Sequence, residues 1–274
     1  MKKCLIFTLF GIMGCSSDDS SGSSPLLEAS TLLNVSYGSD PQQLIDIYLP
    51  AGRSAESTKV LFLVHGGGWT GGSKADLTPA VAGLKAQFPD CAIVNIGYRL
   101  GTVNMPAFPN QINDIKLAVS HMQGNNYAVS KQYAFFGVSA GAHLSLLYAY
   151  KFDPERHVKA VCSIVGPTDF TDPAYSLYTA VASPYLVGLN PPPDVFQNAS
   201  PVTHVTAQSA RTIQFAGTQD QLVPLSQSQR LKAKLDESGV QNELHVYNAG
   251  HGNFSPVDSQ DINAKILAFL NASF

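Results

Sequence analysis

The stretch from Tyr133 to Tyr150 restricts the possible folds of this chain more than any other. Tyr133-Ala134-Phe135-Phe136 is an apolar, strand-like run, and Ala140 to Tyr150 is helix-compatible. The junction between them is Gly137-Val138-Ser139-Ala140-Gly141. A serine between glycines two positions away on either side is the pattern of a sharp strand-to-helix turn, a nucleophile elbow. Such a turn holds the serine in strained backbone geometry and has no room for bulk two residues before or after it. It also lifts the hydroxyl clear of the sheet, beside the first free amides of the helix.

The chain around it reads as alternating strands and helices, the pattern of an α/β sheet. Leu44 to Leu49 alternates at period two and stops at Pro50, as a strand near a sheet edge does. Val60 to Val64 is continuously apolar, as expected of a strand covered on both faces. Leu77–Phe88 and Asn113–Gln123 have helical spacing, with strands at Ala92–Tyr98 and Val158–Val165. Between 166 and 205 the alternation breaks in a proline-rich stretch that also holds Phe170, Tyr175, Tyr178, Tyr185 and Phe196. Its aromatic content points to an ordered insertion, a short cap over the carboxyl ends of the strands. Regularity returns with strand Thr212–Ala216, helix Ser226–Glu237, strand Glu243–Tyr247 and helix Asp261–Leu270.

The first residues read as an export signal. Lys2-Lys3 precedes a short apolar run, Leu5 to Met13, far below the ~20 residues that span a bilayer. Ile12-Met13-Gly14-Cys15 resembles a lipobox, which predicts cleavage after residue 14 and lipid on Cys15. Ser16 to Ser24 contains only Ser, Asp and Gly, so 15–30 reads as a flexible tether. The folded unit is then 31–274. At 45% hydrophobic residues the chain can fill one large core, and a net charge of −3 without a basic block argues against nucleic acid as a partner. Beyond Cys4 and Cys15, only Cys91 and Cys162 remain, both in apolar runs, and they read as core thiols.

A serine hydroxyl needs a base, and the base needs an orienting carboxylate. Asp220 follows strand 212–216 and His251 follows strand 243–247, so both loops open at one edge of a wound sheet. Ser139, Asp220 and His251 are therefore the expected catalytic residues. His204 competes for the base. Asp258 and Asp261 lie nearer His251 in sequence than Asp220 does, but they fall where the last helix begins and acids commonly cap amides. His143, one helical turn beyond Ser139, reads as packing. His65-Gly66-Gly67-Gly68-Trp69 directly follows the buried strand 60–64. Consecutive glycines weaken a fold, and are useful where backbone amides must approach a ligand. The amides of Gly67, Gly68 and Ala140 are the expected oxyanion hole, worth roughly 3–4 kcal/mol per donor in acyl transfer. His65 then anchors the loop.

Taken together, the His65–Trp69 motif, the Gly137–Gly141 elbow, Asp220, His251, Tyr98-Arg99-Leu100 and Pro109–Asp114 resemble the α/β-hydrolase esterases of the hormone-sensitive-lipase-like group. The resemblance runs from about Leu44 to Leu270. Val138 stands where those relatives usually carry Asp, and Ala142 where a further Gly is common. Trp69 after the glycines is more similar to small bacterial feruloyl-esterase and kynurenine-formamidase-type enzymes. The resemblance implies an α/β-hydrolase fold with a mostly parallel central sheet and helices on both faces. It places Trp69 in the substrate pocket. In such a sheet Cys91 and Cys162 stand three strands apart, ~14 Å, beyond disulfide reach. It also implies a serine carboxylesterase with no metal or organic cofactor. The compact aromatic insertion points to small or medium acyl esters, the lipoprotein context adds ester-decorated carbohydrate as one substrate, and the lipobox predicts a lipid-anchored location in a bacterial envelope membrane, facing the periplasm or the cell surface. An amidase or formamidase of the same fold, and a non-catalytic binding module on that scaffold, are the alternative readings.

Overall fold

A computed structural model describes residues 27–274. The export signal, the proposed lipid site at Cys15 and most of the tether lie outside the described residues. Strands β1 (Ser30–Ser36), β2 (Leu44–Leu49), β3 (Val60–Val64), β4 (Ala92–Ile96), β5 (Tyr133–Val138), β6 (Val158–Ile164), β7 (Arg211–Gly217) and β8 (Asn242–Tyr247) form one sheet. Their order is β1-β2-β4-β3-β5-β6-β7-β8. The pairs β1–β2 and β2–β4 are antiparallel, and every later pair is parallel. This is the α/β-hydrolase fold, a mostly parallel sheet with helices on both faces.

Two apolar layers sandwich the sheet. On one face, helices α2 (Ala107–Gly124), α3 (Ala140–Leu147) and α6 (Ser226–Glu237) bury Ile112, Ile115, Leu144, Leu147, Leu231 and Leu235. On the other, α1 (Thr78–Gln87) and α7 (Pro256–Ser273) bury Val81, Ile262, Ile266, Phe269 and Leu270. Strands β3 and β4 are buried along their whole length, so their side chains are apolar on both faces, apart from Asn95. Among the described residues no helix is long and apolar enough to cross a membrane.

Three local features differ from the sequence reading. β1 is an added edge strand that begins at Ser30, one residue inside the stretch read as tether, because Ser30 pairs with Leu49 of β2. β1 is only partly buried, so it shows no apolar alternation to read. Helix α7 starts at Pro256, earlier than periodicity suggests, since Ser255 and Asp258 close a capping box there. The segment 166–205 holds helices α4 (Ser176–Leu186) and α5 (Val195–Ala199), flanked by the short turns Pro173–Tyr175 and Pro201–His204. Leu177 and Val181 of α4 face outward, at 81% and 71% exposure, which erases the amphipathic period that would have marked the helix. Cys91 lies just before β4, partly exposed, and Cys162 is buried in β6; β3 and β5 separate the two strands and both thiols are free.

Candidate active site

The site grows from the register of β3 with β5 and of β5 with β6. Val64 lies beside Gly137, and Gly137 beside Ser163, so the chain leaves β3 and β5 at the same level. Ser139 follows with φ 52° and ψ −117°, a strained conformation for a residue with a side chain. Its amide is held by the Ile164 carbonyl at 2.8 Å, and its carbonyl accepts from the His143 amide at 3.0 Å. The flanking glycines are required by space rather than by backbone angle. A Cβ on Gly137 would stand 2.6 Å from Cα of Ala142, and one on Gly141 would overlap the carbonyls of Val64 and His65.

Ser139 Oγ and His251 Nε2 are 2.9 Å apart, and His251 Nδ1 lies 2.7 Å from Asp220 Oδ2. A carboxylate only accepts, so Nδ1 carries the proton and the lone pair on Nε2 faces the serine hydroxyl. The other oxygen of Asp220 accepts from the amides of Leu222 and Val223, both at 2.9 Å. The carboxylate is thus buried but fully occupied. The competing residues are engaged elsewhere. His204 Nε2 donates to the Asn198 carbonyl at 3.0 Å. Asp258 caps α7 through Ser255, and Asp261 accepts from Tyr247 Oη and from Lys265.

The glycine loop sits opposite. Gly67, Gly68 and Trp69 all have positive φ, 116°, 56° and 64°. The Gly67 carbonyl accepts from the Thr70 and Gly71 amides, and no backbone acceptor among the described residues takes the amides of Gly67 or Gly68. Ala140 is the first residue of α3, whose amide has no intrahelical acceptor. Aromatic and amide side chains clamp the loop from behind. Tyr98 donates from its hydroxyl to the His65 carbonyl at 2.7 Å and stacks on the imidazole at 4.1 Å. Gln111 donates to the Trp69 carbonyl at 2.6 Å. The Arg99–Asp114 ion pair, with Gln43 donating to the same carboxylate, fixes the segment carrying Tyr98. These are the partners behind the Tyr98–Leu100 and Pro109–Asp114 resemblance.

Trp69, expected in the pocket, lines it and is itself buried. Its indole donates to His143 Nδ1 at 3.1 Å, while His143 Nε2 donates to the Ala199 carbonyl at 2.8 Å. Burial pushes the His143 pKa down to about 4, outweighing the Ala199 bond that raises it, so the ring is neutral and structural. A cleft of about 340 Å³ lies between Ser139, the glycine loop and 166–205, closed by Val165, Pro167, Tyr175, Tyr178 and Val223. A wider, shallower cavity of about 720 Å³ opens around Asn125 and Lys131, before β5 and therefore at the other end of the sheet from Ser139.

Tyr175, Tyr178 and Gln227 are pocket or support residues that sequence reasoning did not single out. The tyrosines stood only as part of an aromatic-rich stretch, and their spacing of three on one turn was the available signal. Gln227 gave none. Its side chain accepts from the Thr168 and Asp169 amides and donates to the Asp169 carbonyl and Asp172, tying α6 to the base of the insertion. Burial raises the Asp172 pKa, but bonds from Ser226, the Ala174 amide and Gln227 outweigh it and hold the carboxyl below its usual range.

The sequence profile of the BD-FAE family matches residues 45–235, well over half of the chain and all of the elbow, glycine loop and Asp220 loop. The chain belongs to the BD-FAE family. Among its relatives is the esterase LipC of Mycobacterium tuberculosis, 31% identical over 242 residues, which cover 80% of this chain and 59% of LipC. The chain therefore spans about three-fifths of the length of that relative. Similar solved structures include an acetyl ester-xyloside bifunctional hydrolase from Caldicellulosiruptor lactoaceticus, with TM-score 0.70, 18% identity, and 91% and 98% of the two chains covered. A truncated carbohydrate esterase from gut microbiota has TM-score 0.68 and 20% identity over 86% of this chain and 95% of that one. BD-FAE membership and these folds agree with the wound sheet and the position of the elbow within it.

Proposed function

We propose that this BD-FAE protein is a serine carboxylic-ester hydrolase. The hydrogen-bonded line Ser139–His251–Asp220, with Ser139 and His251 lining one cleft together with Gly67 and Gly68, is the observation that carries the reading. Ser139 Oγ attacks the ester carbonyl carbon while His251 Nε2 takes its proton. Asp220 keeps Nδ1 protonated and stabilises the imidazolium that forms. The negative charge that develops on the carbonyl oxygen falls to the amides of Gly67, Gly68 and Ala140. His251 then protonates the departing alcohol, and water, deprotonated by the same nitrogen, releases the acid from the acyl-enzyme.

The small, aromatic-walled cleft favours short or medium acyl esters over long triglyceride. The carbohydrate esterases among the similar structures extend the proposal to ester-decorated saccharides. We further propose that Cys15 carries lipid after cleavage at residue 14, with the Ser/Asp-rich tether holding the hydrolase outside the membrane.

The test combines an alkyl fluorophosphonate with a panel of p-nitrophenyl esters. Covalent mass on the tryptic peptide containing Ser139, together with turnover of acetate to hexanoate esters that is lost in Ser139→Ala, is the expected result. A folded protein that neither takes up the probe nor hydrolyses any ester would favour a binding module instead.

A further inference from the structure

The tether joins the fold at the end of the sheet opposite the cleft. Ser30 of β1 pairs with Leu49, Tyr48 with Ile93, and Ile93 with Leu61, which in turn pairs with Ala134. All of these stand near the amino ends of the parallel strands, whereas Ser139 follows the carboxyl end of β5. The junction is also pinned. The Gly52 amide donates to the Leu27 carbonyl at 2.7 Å. Arg53 donates to the carbonyls of Glu28 and Pro50, and its Nε donates to that of Tyr127, in the loop before β5. These bonds fix the point at which the tether meets the fold.

The length of the tether then limits how the protein stands on a membrane. Cys15 and Leu27 are 12 residues apart, so even a fully stretched chain between them spans at most ~43 Å. A compact unit the size of residues 27–274 has a radius of gyration of ~18 Å, which for a sphere is a diameter of ~46 Å. With the cleft pressed on the bilayer, the pinned junction would stand at about that height above it. Full extension falls short of the height, and every more compact arrangement falls further short. With the junction end toward the bilayer, no stretching is needed.

The opposing effect is the apolar surface of α4. Leu177, Val181 and Tyr185 recur every fourth residue and are exposed, on the helix that also lends Tyr178 to the cleft wall. From Pro173 to Pro193 there is no charged residue. Such a face would enter a headgroup layer if it were carried down to one. The short tether keeps it from the bilayer that holds the lipid. We propose that lipid on Cys15 and the pinned tether hold the protein with its amino-end loops toward its own membrane, and with the Ser139 cleft and α4 facing away. Its ester substrates then arrive from the aqueous side, and the acyl lipids of its own bilayer are out of reach. This inference rests on the proposed lipid at Cys15 and on the hydrolase reading of the cleft.

The experiment uses the lipidated full-length protein in phosphatidylcholine vesicles that contain a rhodamine-headgroup lipid. A fluorescein donor is placed at Lys131→Cys, exposed at the amino end of the sheet, or at Leu177→Cys on α4, each in a Cys91→Ser background. Energy transfer should be stronger from position 131 than from 177. About 30 Gly/Ser residues inserted after Ser24 raise the reach to ~150 Å and should remove the difference. The same long-tether form should cleave 1-oleoyl-2-acetylglycerol in the vesicles faster than the wild type does, with p-nitrophenyl butyrate in solution cleaved equally by both. Equal transfer from the two positions, or stronger transfer from 177, overturns the orientation and leaves the lipid and esterase readings standing. A difference that survives the longer tether overturns the tether as its cause, and equal cleavage of the embedded ester overturns the exclusion of membrane lipid. Wild-type protein that does not float with the vesicles overturns the anchor and the orientation together. Failure to cleave p-nitrophenyl butyrate overturns the esterase reading alone, since the energy transfer does not depend on turnover.

Discussion

The Trp69 indole N–H donates to Nδ1 of His143 at 3.1 Å, which joins the glycine loop to the helix that begins at the nucleophile. The bond needs a neutral ring, because protonated Nδ1 would point a second N–H at the indole. Burial satisfies that need by lowering the His143 pKa from 6.5 to about 4. The sign follows from linkage. Between those two values the unfolded chain binds the proton and the folded one does not, so stability falls as pH drops from about 6.5 to about 4. For so buried a group the loss is on the order of 3 kcal/mol. His143→Gln can still accept from Trp69 and donate to Ala199 but cannot titrate. Its Tm should therefore fall less steeply than that of the wild type between pH 7 and pH 4.5. Parallel Tm–pH curves would show that His143 carries none of the acid sensitivity.

Two glycine substitutions separate spatial need from backbone strain. A Cβ on Gly141 meets backbone carbonyls of Val64 and His65, which are held in place by β3 and Tyr98 and cannot yield. Gly141→Ala should cost more than the roughly 1–3 kcal/mol of ordinary overpacking and leave little soluble protein. At Gly68 the nearest atom to a new Cβ is Tyr178 Oη at 3.6 Å, so only its φ of 56° resists. Gly68→Ala should cost about 1–2 kcal/mol and lower Tm by a few degrees while remaining folded. Soluble yield and melting curves of the two variants check the ordering.

The central architecture was legible because its causes are local. Continuous apolar runs marked the buried strands, and the position of Asp220 and His251 just beyond β7 and β8 followed from parallel strands ending at one edge. The elbow was legible because its steric demand on Gly137 and Gly141 leaves a fixed spacing. What escaped was set by tertiary partners. β1 exists because β2 offers an open edge, and nothing in Ser30–Ser36 itself announces a strand. α4 turns apolar residues outward, so no period marks it. The support of the glycine loop by Tyr98 and Gln111, and of the insertion by Gln227, joins residues 33, 42 and 59 positions apart. No spacing rule connects them.

The proposed anchor gives a prediction of its own. The apolar run Leu5–Met13 is too short to span a bilayer, and no helix among residues 27–274 can do so. If lipid on Cys15 is what retains the protein, Cys15→Ser should move it from the membrane to the soluble fraction with its hydrolysis of p-nitrophenyl esters intact. Fractionation of cells expressing each form measures this. Equal membrane retention of both would exclude lipid on Cys15 as the anchor.

Asp220 is the member of the Ser139–His251–Asp220 line whose role separates most clearly from neighbouring acids. It lies 31 residues before His251, farther in sequence than Asp258 or Asp261, yet it alone of the three bonds the imidazole. Asp220→Asn keeps the size and the Leu222 and Val223 amide bonds available to one oxygen. It also offers an amide N–H to Nδ1, which favours the tautomer with the proton on Nε2, where it cannot accept from Ser139. The fold should survive, with kcat reduced by up to ~10⁴ on the precedent of serine proteases. Asp258→Asn instead weakens one helix cap, worth about 1 kcal/mol, and should lower Tm slightly with little change in turnover. Asp261→Asn removes a partly exposed ion pair with Lys265 and weakens a bond from Tyr247, and should also leave turnover near wild type. Steady-state kinetics of the three variants on p-nitrophenyl butyrate, each with its melting curve, decide the assignment. Near-full kcat in Asp220→Asn, with loss of turnover in either of the others, would move the acid of the site to the last helix.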